Sequence, residues 1–335
     1  MRGVLRYFVI RALLVVPTVF IMLATVFFIM RVLPGDPVIA LIGTRASAER
    51  IAEFRHFLGL DQPLHVQFFQ YLAKIATGDF GLTVTRDRTI VAALQEAIPA
   101  TAELSVFAMI IAVLFGVGSG LVGVKKRGIV EKVLRAFALT GYSIPVFWLG
   151  LIFQIFFGVM LGILPISGRI SGYGAPPHVT GLYVFDAILA GNIVGVVDCL
   201  SHLVLPATTL AIWIAAPISG MTRANLLRAL DEDYVVTERA LGLPENIIVY
   251  KYAFRNALMP VLALLGLETA GLLGGVILIE NVFGIQGIGY LLITSVSQRD
   301  FNLIQGTLAY ITFIVVVVNI LVDLAYALID PRVTL

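Results

Sequence analysis

Six stretches of this sequence are long, apolar and almost free of charge: Ala12 to Met30, Leu104 to Val124, an uncharged run beginning at Ala136, Leu203 to Thr222, Ala257 to Ile279 with Glu268 inside it, and Leu303 to Val322. Roughly 20 apolar residues at about 1.5 Å rise each cover the ~30 Å of hydrocarbon in a bilayer. Backbone groups inside hydrocarbon have no water to bond, so each run must pair its own amides and carbonyls as a helix. The pattern predicts an all-α polytopic membrane protein with six transmembrane helices. Composition agrees, with 59% hydrophobic and 13% charged residues against about 45–50% and about 25% in soluble domains. The first run follows Arg2, Arg6 and Arg11 but exceeds the roughly 7–15 residues of a signal-peptide core, and Arg31 to Pro34 lacks a small-residue cleavage pattern, so it reads as a retained helix. Ala187 to Val197, bounded by Asp186 and Asp198, is too short to span and reads as an interfacial or re-entrant piece.

Lys and Arg in short loops favour the cytoplasmic side. With the N-terminus inside, the inner segments hold Arg2, Arg6 and Arg11; Lys125, Lys126, Arg127, Lys132 and Arg135; Arg223, Arg228, Arg239, Lys251 and Arg255; and Arg332. The short outer loops hold only Arg169 and Arg299. Both termini are therefore expected in the cytoplasm.

Several function classes drop out. With 23 Lys+Arg against 21 Asp+Glu, the chain has no basic excess for nucleic acid. Cys199 is alone, and His56, His65, His178 and His202 fall in no zinc-ligand spacing, so neither a disulfide framework nor a metal site is expected. None of Lys74, Lys125, Lys126, Lys132 and Lys251 follows a glycine, so no phosphate-binding loop is present and ATP hydrolysis by that route does not belong to this chain. No nucleophile and base, and no metal-ligand pair, recur within the spans; catalytic residues and a resident cofactor are not expected.

After the first span, Pro34-Gly35-Asp36-Pro37, Gly59-Leu60-Asp61-Gln62-Pro63 and Gly78-Asp79-Phe80-Gly81 punctuate patterned stretches at Ala48 to Leu58 and Val66 to Ile75. This predicts a small external helical cap, either a brace or a docking surface. Polar groups within spans usually face a cavity or a partner helix. Glu268, Tyr142, Ser143 and Asn319 are accordingly candidates for a translocation path, although Tyr142 to Pro145 also reads as a kink. Gly116 with Gly120, and Gly271 with Gly275, read as close helix packing because both pairs lie in apolar spans.

The inner segment Asp231 to Asn246 carries the most information. Asp233 suits a helix N-cap, Gly242 the left-handed position that closes a short helix, and Pro244 with Glu245 the first turn of the next. The outcome is a helix-turn-helix projecting into the cytoplasm, or a passive connection of similar composition.

Thr237-Glu238-Arg239-Ala240-Leu241-Gly242, followed by Arg255-Asn256-Ala257-Leu258-Met259-Pro260, resembles the EAA loop of ABC-importer permeases, in particular the dipeptide/oligopeptide (peptide/nickel) branch, first membrane subunit type. Leu33 to Pro37, Leu58 to Asp61, Gly78 to Gly81, Leu164 to Arg169, His202 to Pro206 and Asp330 to Arg332 match the same family in the same order. The loop departs from the consensus at Val236, where the opening Glu would stand, and at Glu238, where Ala is usual.

The resemblance implies a type I ABC-importer permease core at 96–335, preceded by a first helix and external cap at 1–95, in the inner membrane of a prokaryote. It implies a homologous second permease, two cytoplasmic ATPases that carry ATP and Mg, and an external substrate-binding protein. Alternating access would be driven through a loop at about 222–256, with Asp233, Tyr234, Thr237, Glu238, Arg239, Ala240, Leu241, Gly242, Leu243, Pro244, Arg255 and Asn256 as its ATPase-coupling residues. The cargo implied is di- or oligopeptide; nickel chelates, glutathione and oligosaccharides are carried by similar permeases. An ion-coupled secondary transporter, with Glu268 on the ion, is the rival class, but the two halves lack the internal repeat such carriers have.

Overall fold

A computed structural model describes residues 2–32, 38–39, 46–57, 59–83, 88–126, 128–172 and 174–329. The matching segments at Leu33 to Pro37 and Asp330 to Arg332 lie outside the described residues, as do Leu58 and Arg127. The helices are α1 Arg2–Val32, α2 Ala48–Phe57, α3 Leu64–Ala76, α4 Ile90–Lys125, α5 Ile129–Thr140, α6 Val146–Phe153, α7 Tyr183–Leu189, α8 Ile193–Leu230, α9 Asp233–Ala240, α10 Glu245–Ile247, α11 Phe254–Val282, α12 Ile288–Ser297 and α13 Phe301–Ile329. Among the described residues the only extended pairing is an isolated bridge between Leu82 and Thr89. Five helices are long and apolar enough to cross a membrane, and a sixth crossing is counted when a bent pair is taken as one span.

That bent pair corrects the third predicted span. Ile129–Ser143 and Val146–Met160 meet at 111°, so the uncharged run from Ala136 is two helices. Pro145 pushes Ile144 out of the α region, and Ile144 is indeed extended with ψ 126°. Gly141 lets the turn settle on Ala216, whose Cβ would lie 2.8 Å from an added Cβ. The crossing piece winds as a π-helix over Gln154–Met160. The stretch Ala187 to Val197 is also divided: α7 ends at Leu189, Gly191 turns with φ 64°, and Asn192 caps α8 by accepting from Gly195 N at 2.9 Å. The second half of that stretch is thus the start of a long spanning helix. The short helix α12 carried no signal read from the sequence.

The chain divides into two compact units, Met1–Pro99 with Gln286–Ile320 and Ala100–Ile285 with Leu321–Leu335. In the first unit the patterned stretches after the first span are helical as α2 and α3, and α3 lays Phe68 and Tyr71 against Phe20, Phe27 and Phe28 of α1, with ring centroids 5.3–5.7 Å apart. Such aromatic pairs add to the apolar area they bury. Ile90, Ala93 and Leu94 pack with Leu303 in a second cluster, and Gly306 leaves room for Ile90, whose Cγ2 would otherwise stand 2.8 Å from a Cβ. Helix α12 closes with Arg299 in the left-handed region at φ 55°. Asp300 then caps α13 through its Oδ1 to Leu303 N, 2.9 Å.

The second unit is built around α8, which buries Leu205, Leu210, Ile214 and Ile218 against Leu104, Ala108 and Ala112 of α4 and Val261, Val276 and Ile279 of α11. Gly116 and Gly120 bring α4 and α8 together. A Cβ at Gly120 would stand 2.6 Å from Thr222 Cβ and 2.9 Å from Ser219 O, and one at Gly116 would stand 2.8 Å from Ile218 Cβ. The approach also lets Ser119 Oγ donate to Ser219 Oγ at 2.8 Å. The other glycine pair behaves differently: a Cβ added at Gly275 would stand 3.3 Å from Leu210 Cδ2, whereas one at Gly271 would meet nothing within 4 Å among the described residues.

Gly120→Val should therefore overpack the α4–α8 contact and lower stability by about 1–3 kcal/mol. Gly118→Ala, whose new Cβ meets nothing within 4 Å, should leave it near wild type. Thermal unfolding of both detergent-solubilised variants measures the contrast, and equal midpoints would remove the close-packing role of Gly120.

Candidate functional site

The segment expected to contact a partner folds locally. Helix α9 begins at Asp233, with Glu232 before it in extended conformation and no side-chain cap. Asp233 is therefore the first helical residue, not the cap; its carboxylate still sits favourably in the first turn. At the other end Gly242 has φ 78°. Gly242 N donates to Arg239 O at 3.0 Å and Leu243 N to Glu238 O at 3.2 Å, the paired bonds of a Schellman closure. Pro244 is the N-cap of α10 with φ −59°, and Arg239 Nε meets Glu245 Oε1 at 2.7 Å across the turn.

Val235 is the buried anchor of α9. The helix contacts the π turn over Ile248–Ala253, whose Ala253 packs with Ala257 and with Leu226 and Ala229 of α8 in a small core. Lys125, at the end of α4, donates to Asn246 Oδ1 at 3.1 Å and lies 5.5 Å from the Tyr250 ring. The opposite face stays open: Val236 is 60% and Leu241 72% exposed. Thr237, Arg239, Ala240 and Pro244 share that exposure, Glu238 and Leu243 are half-buried, and the Tyr234 hydroxyl is buried without a hydrogen-bond partner. Arg255 and Asn256 are exposed on the first turn of α11, after a π turn over Ile248–Ala253. The residues at 233–244 are one continuous surface element.

Tyr142 and Ser143 come together at the 111° bend, where Tyr142 stacks on Trp213 of α8 at 4.8 Å and 16°. Glu268 is buried within α11, and Asn319 is exposed on α13.

At the end of the second unit away from Gly242, a polar network escaped the sequence reading. Glu103, almost wholly buried, accepts from Arg169 Nη2 at 2.6 Å and from Val184 N at 2.7 Å. Arg169 also donates to Gly181 O at 2.9 Å and rests 3.8 Å from the Tyr183 ring centroid. Buried Glu280 of α11 accepts from Thr101 Oγ1 of α4 at 2.5 Å. Asp186 gathers Thr180 Oγ1 at 2.7 Å and the amides of Val179, Thr180 and Gly181 at 2.9–3.2 Å. Burial alone would raise the Asp186 carboxyl, but these bonds from Thr180, Gly181 and Val179 outweigh it and hold the carboxyl below its ordinary value. The available signal was a carboxylate at the lip of each apolar run; the partners are too distant in sequence to read.

Long apolar helices, with the α9 element at one end of the second unit and a hydrogen-bonded loop layer at its other end, mark a polytopic membrane protein. Residues 112–335 match the family described as the binding-protein-dependent transport system inner membrane component, and residues 4–105 match its N-terminal region. The chain belongs to this family and is a multi-pass protein of the cytoplasmic membrane. It is 38% identical over 330 residues to the dipeptide transport system permease protein DppB of Alkalihalophilus pseudofirmus, covering 98% of this chain and 99% of that one. It is 41% identical to the probable D,D-dipeptide transport system permease protein DdpB of Escherichia coli K12, covering 92% and 91%. It is 35% identical to the glutathione transport system permease protein GsiC of Salmonella choleraesuis, covering 98% and 99%.

The Asp186 network predicts a pH signature. A carboxyl depressed in the folded state contributes stability above its unfolded pKa and loses it as pH falls through the folded value. Asp186→Asn should lower the unfolding midpoint at pH 7, and the gap to wild type should close below about pH 4. A gap unchanged between pH 7 and pH 3 would contradict the assignment.

Proposed function

We propose that this chain forms half of the translocation path of a binding-protein-dependent ABC importer for di- and oligopeptides. The observation that carries the reading is the Asp233–Pro244 element: a short helix fixed by its own Schellman closure, anchored by Val235 and presenting Val236 and Leu241 outward. A stiff knob of this kind suits a groove on a moving partner. In this reading the Gly242 end faces the cytoplasm, as do both termini, consistent with Lys125, Lys126, Arg223 and Arg228 near that end.

Two ATPase subunits hold ATP and Mg, and this chain supplies no cofactor-binding or catalytic residue. A homologous second permease completes the path, and an external binding protein delivers the cargo. Residues 1–95 form the first helix and cap, and 96–335 the five-helix core; the division of the family matches between residues 105 and 112 supports this. The relatives named for dipeptides, D,D-dipeptides and glutathione all move small peptide-bonded compounds, which supports peptide as cargo over nickel chelates or oligosaccharides. Closure of the ATPases drives the α9 element, and through the π turn over Ile248–Ala253, which contacts α9, α8 and α11, α8 and α11 move, turning the path from one side to the other. Arg255 and Asn256 lie at the base of the same lever.

Gly242→Val tests the coupling role. A Cβ there meets nothing within 4 Å, so the cost of about 1–2 kcal/mol is conformational and local. The variant should insert and pair with its sister permease, yet lose ATPase co-purification or uncouple hydrolysis from uptake in proteoliposomes; wild-type coupling would make the loop a passive connection. For the path, Glu268→Gln should change transport rate or peptide range while assembly is retained. An unaltered rate and range would leave Glu268 a packing residue, with Tyr142, Ser143 and Asn319 as the remaining path candidates.

A further inference from the structure

A cavity of about 190 Å³ lies within the first compact unit, between the end of α1, helix α3 and the start of α13. Its wall includes Arg31 of α1, Gln67, Tyr71 and Lys74 of α3, and Gln305 of α13. That volume is many times what a single water needs. Three polar atoms of this wall are buried with no hydrogen-bond partner among the described residues: Arg31 Nε, Gln67 Oε1 and Tyr71 Oη. A buried donor or acceptor left unpaired is costly, so three around one cavity point to something that fills it.

The orientation of Gln67 is fixed by chemistry. Its Nε2 donates to Leu60 O at 3.2 Å and Gln62 O at 2.7 Å. Those carbonyls accept only, so the amide cannot be flipped and the lone acceptor is Oε1. Gln67 is itself 8% exposed. Burial pushes the Tyr71 phenol up to about 12, opposed by the Gln305 amide beside it, which falls short of hydrogen-bond geometry; Tyr71 thus stays a neutral donor and acceptor. The Arg31 guanidinium rests 5.1 Å from the Phe27 ring centroid. The carboxylate on the wall, Asp79, is turned to Gly81 N at 3.0 Å. The cavity therefore offers two cations, one fixed acceptor and one hydroxyl.

Its depth supplies the second constraint. Arg31 ends the span Leu13–Arg31 and Phe301 begins the span Phe301–Val322. Both flank the same cavity, so it sits at one water–lipid boundary whichever way the chain is oriented. Arginine at the end of a span reaches this level.

We propose that this cavity is a phospholipid headgroup site, in which Arg31 and Lys74 hold the phosphodiester while an ammonium or hydroxyl donor of the headgroup meets Gln67 Oε1 and Tyr71 Oη. Phosphatidylethanolamine and phosphatidylglycerol carry such a donor; phosphatidylcholine carries none. A free phosphate shares the anionic half of the chemistry but does not bring an acyl chain to the boundary. The occupant would join the cap helix to the first and last spans, independently of any role for Gly242.

The test uses the full chain, delipidated in detergent, with binding followed by native mass spectrometry and by the rise in unfolding midpoint. Phosphatidylethanolamine should bind about tenfold more tightly than phosphatidylcholine, and Arg31→Gln with Lys74→Gln should weaken it by about tenfold, as charge-assisted bonds would. Tyr71→Phe, which keeps the ring and its packing, should reduce phosphatidylethanolamine binding about threefold and leave phosphatidylcholine unchanged. Equal binding of the two lipids, or binding indifferent to both the Arg31/Lys74 and Tyr71 variants, would overturn the proposal. Inorganic phosphate alone reproducing the full stabilisation would overturn a lipid occupant.

Discussion

Inside hydrocarbon a peptide group that loses its helical partner has no water to replace it, and the places where this chain breaks its helices depend on how those groups are re-paired. The crossing helix after Pro145 loosens into a π-helix at Gln154. There the Gln154 amide donates to Ile166 O at 2.7 Å and to Val282 O at 2.9 Å, carbonyls that no helix occupies. Gly168 N then reaches Phe283 O at 2.9 Å. One side-chain amide and one backbone bond thus tie the loop after α6 to the end of α11. A break without such partners would expose several unpaired groups at the membrane boundary.

Carboxylates do the same work at the Arg169 end. Each of Glu103, Asp186 and Glu280 is buried, which is unfavourable for a charge standing alone. None stands alone: Glu103 meets Arg169 and Val184 N, Glu280 meets Thr101, and Asp186 collects three successive amides. Breaking such a buried pair costs about 3–5 kcal/mol, more than the pair itself contributes over apolar packing. Their value is in fixing register, since each joins segments that hydrophobic contact alone could slide past one another. The described residues of the loop over 164–182 are held this way without a regular element of their own before α7.

These two layers separate what could be read in the sequence from what could not. Five of the six predicted spans are legible as single helices because the runs exceed what a buried core helix needs, and the 233–244 turn is legible because Gly242 and Pro244 restrict φ within a few residues of where they act. The start of that helix shifted by one residue, since Asp233 serves α9 equally from its first turn. The 111° bend had a local mark in Pro145, but the close fit of Gly141 against Ala216 on another helix had none. Glu103 and Arg169 are separated by 66 positions and Thr101 and Glu280 by 179, so no window of sequence holds either pair. The lone acceptor of Gln67 is further hidden, because it depends on two carbonyls already claiming its nitrogen.

The α9 element illustrates why a locally specified structure suits a contact surface. Its helix end satisfies its own carbonyls through Gly242 N and Leu243 N, and Arg239 with Glu245 braces the turn from outside. An element that keeps its shape unaided loses little conformational entropy when a partner closes over it. Burial of Val236 and Leu241, at about 25 cal/mol per Å² of apolar surface, then goes mainly into affinity and not into ordering the loop. Were the same residues on a flexible connection, part of that gain would be spent on fixing the backbone at about 1–2 kcal/mol per residue. On the proposed function, this difference is what lets a displacement of the partner reach α8 and α11 through the π turn that α9 contacts, because a connection that deforms first would absorb the stroke.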